Sequence, residues 1–147
     1  MVNNFLENID FFDYEKKNIN ILSPLVLAYI GDIVYEVYIR TMLINKYNFS
    51  VHKLHLKAIE YVSANSQADI VRNIIDKLSD EELRILKRGR NAKSGTVPKN
   101  VNIIDYKYAT GFESLIGYLY LNKEFSRLKE IIISAIDFKM RKNKSTE

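Results

Sequence analysis

Apolar positions along the chain recur every three or four residues, and no stretch keeps the two-residue alternation of a half-buried strand. The pattern predicts six helices. The first runs from about Pro24 to Ile44, with Ser23 as N-cap and Pro24 at the first helical position, where its missing N–H costs nothing. Ser50 caps a second helix, through about Tyr61, whose Val51, Leu54, Ala58 and Tyr61 share one face. Ser63 opens a third, Ala64 to Leu78, with Ala68, Val71, Ile75 and Leu78 inward. Ser79-Asp-Glu-Glu82 is a capping box for a fourth, from Asp80 to Arg88 or Arg90. Residues 89–100 hold two glycines and a proline among small polar residues and read as a loop, or as a frayed helix end leading into one. A fifth helix starts at Asn102 or Asp105 and ends at Leu121, and a sixth covers Glu124 to Met140. No repeat of fixed period is visible. The expected fold is all-α and bundle-like, with a poorly anchored lead-in over 1–20, one domain over 21–141 and a polar tail over 142–147.

Composition bounds this picture without changing it. The chain has 147 residues, 47% of them hydrophobic and 27% charged, enough for one globular core. It has no cysteine, which removes disulfides, thiolate metal sites and cysteine nucleophiles. The start lacks the pattern of a secretory signal, and Asp32 and Glu36 interrupt the apolar run from Leu25 before it could span a bilayer, so a cytoplasmic protein with no membrane partner is expected.

Two of the helices are apolar on nearly every face, and each carries an acid. Asp32 lies within Leu27-Ala-Tyr-Ile-Gly-Asp-Ile-Val-Tyr-Glu36, and Glu113 within Gly111-Phe-Glu-Ser-Leu-Ile-Gly-Tyr-Leu-Tyr-Leu121. A carboxylate removed from water must be protonated, hydrogen-bonded or compensated by positive charge, so a cation is expected at Asp32. If the two helices pack side by side, the two acids form an oxygen site of the kind that suits Mg²⁺. The alternative is a private Lys or Arg partner for each. Glu36 is set apart, because its spacing to Arg40 suits an ordinary helical ion pair. His52 and His55, three apart, lack the further ligands a zinc site needs and are expected to face solvent or a nucleic acid.

The net charge is +4, but its distribution matters more. Arg84, Lys87, Arg88, Arg90, Lys93 and Lys99 fall in one stretch with no acid among them, which points to a polyanion meeting that region. Within Lys87-Arg-Gly-Arg-Asn-Ala-Lys-Ser-Gly-Thr96 the basic groups can neutralise phosphates, while Asn91 and Ser94 can bond to sugar or phosphate. No aromatic is present there to stack on splayed bases, which favours a duplex read by shape. The ending of a Walker phosphate loop is missing. A solvated basic loop with no partner is the plainer alternative.

With these segments placed, the chain resembles the ribonuclease III family, and within it the short bacterial Mini-III branch that lacks a double-stranded RNA-binding domain. The resemblance rests on residues 27–36, on Lys87 to Asn100 and on Ala109 to Leu121, with Val62-Ser-Ala-Asn-Ser-Gln-Ala68 a less distinctive fourth match. It implies an all-helical homodimer and a Mg²⁺-dependent endoribonuclease that cuts double-stranded RNA. The implied substrate is precursor large-subunit (23S) ribosomal RNA, with a ribosomal protein presenting it as a further partner. Asp32 and Glu113 match the catalytic, metal-holding acids; Lys87, Arg88, Arg90, Asn91, Lys93, Ser94 and Lys99 are the expected RNA contacts. Larger members place two further carboxylates where this chain has Ala28 and Thr110, which implies that water and RNA phosphate complete more of the coordination. A catalytically inactive module of the same fold that binds RNA or the ribosome, and a helical protein-interaction domain, are the rival readings.

Overall fold

Five of the six helices among the described residues begin where a side chain takes up a free backbone N–H: Ser23, Ser50, Ser63, Ser79 and Asn102 each accept from an amide of the first turn. The computed structural model of the chain describes residues 18–93 and 95–145. In order the helices are α1 Pro24–Lys46, α2 Val51–Val62, α3 Ala64–Ile74, α4 Asp80–Asn91, α5 Ile103–Leu121 and α6 Phe125–Ser145. Short 3-10 turns, Ile19–Ile21 and Ile75–Lys77, precede α1 and follow α3. Among the described residues there is no strand, and no helix is long and apolar enough to cross a membrane.

α5 is the axis of the bundle, with α1, α3, α4 and α6 packed around it. Its near-continuous apolar sequence follows from that position, since a helix surrounded by others has no face to give to water. Between Gly111 and Tyr120, Glu113 is the one residue that is not fully buried. α1 turns Leu27, Ala28, Gly31, Val34, Tyr35, Ile39 and Leu43 inward. The Tyr35 ring meets Phe112 edge-on at 5.0 Å, and its hydroxyl donates to the Tyr61 carbonyl at the end of α2.

The corner between α3 and α4 is pinned to α6 by charge. Glu82, 6% exposed, completes the Ser79 capping box and accepts from Arg127 at 2.8 and 2.9 Å, while Arg127 also donates to the Lys77 carbonyl.

Several expected boundaries move. α3 stops at Ile74 and the chain tightens into the 75–77 turn, because the Ser79 cap needs an extended lead. α6 continues to Ser145, so most of the expected polar tail is helical. α4 runs to Asn91, which keeps Arg90 and Asn91 on the helix with Lys87 and Arg88 and not in the loop expected from residue 89. Gly89, expected in that loop, is buried inside α4. α1 is less enclosed than its sequence suggests, for Leu25, Val26, Tyr29, Ile33, Val37 and Ile44 are exposed on its outer face. The expected lead-in lies outside the described residues as far as residue 17, and so does Ser94.

Candidate active site

The two acids are brought together by glycine. A methyl group on Gly31 of α1 would fall 1.7 Å from the Glu113 carbonyl oxygen, and one on Gly117 of α5 would fall 1.9 Å from the Leu27 carbonyl oxygen. Both positions must therefore lack a side chain, and α1 and α5 touch backbone to backbone. Asp32 directly follows Gly31, and Glu113 is the residue lying against it, so one contact fixes both. α5 meets α4 in the same way on another side, where Gly89 lies against Gly111 and Ser114. The Ser114 hydroxyl bonds to the carbonyls of Pro24 and Thr110, tying α5 to the start of α1.

The electrostatics are those of carboxyls packed together without positive charge. Burial, followed by the charges of Asp32 and Glu36, pushes the Glu113 carboxyl up to about 8, while hydrogen bonding from Gln67 opposes the rise. Asp32 is raised as well, by burial first and by Glu36 second. Among the described residues no Lys or Arg forms an ion pair with either acid, so the arrangement with a private cation for each is not what the structure adopts. Glu36 pairs with Arg40 at 3.0 Å, as its spacing predicts.

This donor set fits a hard divalent cation. No group of three or more His, Cys, Asp or Glu side chains is placed to hold a metal among the described residues, so the protein offers two carboxylates and leaves other positions to water or phosphate. Ala28 is 6% exposed and adds no oxygen, and the Thr110 hydroxyl is turned back onto the Tyr106 carbonyl. Gln67 of α3 lies near the Glu113 carboxyl, and its buried side-chain oxygen has no hydrogen-bond partner among the described residues. Sequence reasoning does not single out Gln67, because a single amide in the helical stripe of α3 carries no mark that separates it from a structural one. His52 and His55 are exposed on α2.

The basic residues form a second part of the surface. Lys87 and Asn91 are exposed at the end of α4, where the helix dipole favours cations, and Lys93 and Lys99 are exposed in the connection to α5. Arg88 and Arg90 are half-buried and held: Arg88 donates to the Asn20 carbonyl, and Arg90 lies over the Tyr108 ring at 5.8 Å and bonds to Asn91. Arg84 is engaged by Glu81 and stands apart. Asn91 and Lys93 line a cleft of about 430 Å³ that reaches Thr110, one turn before Glu113 on α5.

Comparison with known proteins gives the chain its family. A family model described as "Ribonuclease III domain" matches residues 25–124, which includes both acids and all of the basic segment. The Mini-ribonuclease 3 of Thermoanaerobacter sp. (strain X514) is 52% identical over 128 residues, covering 87% of this chain and 89% of that protein. The Mini-ribonuclease 3 of Clostridium tetani is 50% identical over 121 residues, covering 82% and 80%. A crystal structure of a protein from Fusobacterium nucleatum superposes with a TM-score of 0.75 at 33% identity, covering 84% of this chain and 98% of that one. The chain belongs to the ribonuclease III family, in its Mini-ribonuclease 3 branch, and is an endoribonuclease of the ribonuclease III type.

Proposed function

We propose that the protein is a Mg²⁺-dependent endonuclease for double-stranded RNA, that Asp32 and Glu113 hold the cation, and that the end of α4 with the following connection holds the duplex. The observation that carries this reading is a pair of raised carboxyls on helices in backbone contact, with no positive side chain paired to either among the described residues. Two such acids are poorly served by protein alone and well served by a shared divalent ion.

Bound there, Mg²⁺ supplies an activated water and neutralises charge on the scissile phosphate. Asp32 and Glu113 bind through their ionised forms, so Glu113 gives up its proton as the cation arrives. Arg88, Arg90, Lys87, Lys93 and Lys99 neutralise backbone phosphates on both sides of the cut, and Asn91 and Ser94 bond to sugar or phosphate. Arg90, braced on Tyr108, keeps its direction at low entropic cost.

The substrate within this class is precursor 23S ribosomal RNA in the cytoplasm, presented by a ribosomal protein. A second copy of the chain covers the apolar outer face of α1, giving a two-fold homodimer with one site per subunit. The test is incubation with long duplex RNA, with and without Mg²⁺, for wild type and Asp32→Asn. Cutting is expected only for wild type with Mg²⁺. Equal cutting by the two proteins overturns the site assignment, and duplex binding without any Mg²⁺-dependent cutting by wild type favours a purely binding module.

A further inference from the structure

The turn that precedes α1 lies against the cleft that Asn91 and Lys93 line. Asn18 caps this turn, Ile19 is 6% exposed, and Arg88 donates to the Asn20 carbonyl, which fixes the turn to the end of α4. Gly89, the next residue on α4, lines the cleft, and so does Leu25, four positions after the turn. Two kinds of surface meet in it. Leu25, Ala92, Val97 and Tyr106 supply apolar area, with Leu25 37% and Val97 39% exposed. Lys93 and Lys107 line it too and are exposed, and among the described residues no acid does.

Residues 1–17 lie outside the described residues, and their sequence has the complementary chemistry. Glu7, Asp10, Asp13 and Glu15 give residues 1–15 four acids and no basic side chain, and Phe11, Phe12 and Tyr14 fall among them. Asp13 stands five positions before Asn18, a reach of up to roughly 17 Å for extended chain. We propose that residues 9–15 of the same chain seat in this cleft, an aromatic ring on Leu25, Val97 and Tyr106 and carboxylates on Lys93 and Lys107. A tethered segment needs little intrinsic affinity, because its effective concentration is on the order of millimolar. Its consequence rests on the proposed RNA surface: Lys93 serves both, so the segment competes with the duplex. An anion with few phosphates is held off, whereas a long duplex makes enough contacts to displace it.

The chain has no cysteine, so Asn8→Cys gives a single attachment point for a nitroxide label. In RNA-free protein the label is expected to broaden the NMR amide signals of Lys93, Val97 and Lys107. Duplex RNA added without divalent ions is expected to restore them. No broadening there, or broadening confined to another surface such as the α1–α6 groove at Val37 and Ile133, overturns the seat. If RNA still shifts the Lys93 and Lys107 amides in that case, the RNA surface stands without it. In a mixture of nitroxide-labelled chains with isotope-enriched, nitroxide-free chains, broadening of the enriched cleft assigns the segment to the second copy and overturns the same-chain seat. Broadening that persists with RNA bound overturns the competition and removes Lys93 from the RNA surface.

Duplex affinity is then compared for wild type, for Phe11→Ser with Phe12→Ser, and for Asp10→Asn with Asp13→Asn and Glu15→Gln. Both variants are expected to bind about 3- to 10-fold more tightly than wild type at low salt. The serine variant keeps the net charge, so its gain separates a seated segment from plain repulsion between acids and RNA. Serine-variant affinity within about twofold of wild type overturns the competition.

Discussion

At the scale of single residues the site is governed by what two glycines permit. A methyl group at Gly31 would overlap the Glu113 carbonyl, and no side chain can move aside because both partners are backbone. Gly31→Ala is therefore expected to cost more than about 3 kcal/mol and to abolish cleavage together with the cooperative melt. The acids impose the opposite effect on stability. The folded protein keeps a proton on Glu113 up to about 8, whereas the unfolded chain releases it near its ordinary value of 4.5. The folded state therefore binds more protons across that window, and the stability of metal-free protein falls as pH rises from about 4.5 to about 8. Melting at pH 5.5 and 8.5 without divalent ions is expected to show that loss, and Glu113→Gln is expected to reduce it. Mg²⁺ should restore most of the loss at pH 8.5 in wild type and not in Asp32→Asn. Both acids could be picked out in the sequence because each is a charge in an apolar helix. Gln67 could not, since the property that marks it, an acceptor with no partner, exists only once α2, α3 and α5 are assembled.

At the scale of elements, the capping signals announced themselves, and the helix starts followed them closely. Helix ends were harder to place. The chain after Lys87 has the composition of a loop, yet α4 continues to Asn91 because Gly89 packs on Gly111, a tertiary contact that overrides the weak local propensity of glycine. The consequence is that Arg88 and Arg90 project from a rigid helix and not from a flexible segment. Arg88→Ala with Arg90→Ala is expected to leave helicity intact, to weaken duplex binding and to reduce the slope of log affinity against log salt by roughly 2, as binding curves at several salt concentrations would show. Unchanged affinity would remove both residues from the interface. The α4–α6 pin has its own signature. Arg127 holds the Glu82 carboxyl below the usual carboxylate range, so this contribution is present above about pH 4.5 and is lost as pH falls through the lowered value. Arg127→Met is expected to cost about 3 kcal/mol at pH 7 by leaving Glu82 buried without its partner, and clearly less in melts near pH 3.

At the scale of the whole molecule, the outer face of α1 is the feature that one chain does not use. Tyr29 at 81% and Ile33 at 56% exposed lie one helical turn apart, with Leu25 and Val37 continuing the row. The row runs alongside Asp32 on the same helix, so a second copy seated there brings two cutting centres to one duplex. Ile33→Arg is expected to give a monomer by analytical ultracentrifugation with an unchanged helical spectrum, and a dimer that persists would move the interface elsewhere.

α5 carries Glu113 at the one less-buried position between Gly111 and Tyr120, while its flanks are sealed against α1 and α4 by paired glycines. Its acid has no hinge of its own, because any movement of the carboxyl's backbone must displace the centre of the bundle. Heat or denaturant should therefore extinguish metal binding and the fold in one transition, whereas insertions or deletions within residues 95–101, which touch none of these seams, can retune which RNA is gripped and leave the cutting chemistry as it was.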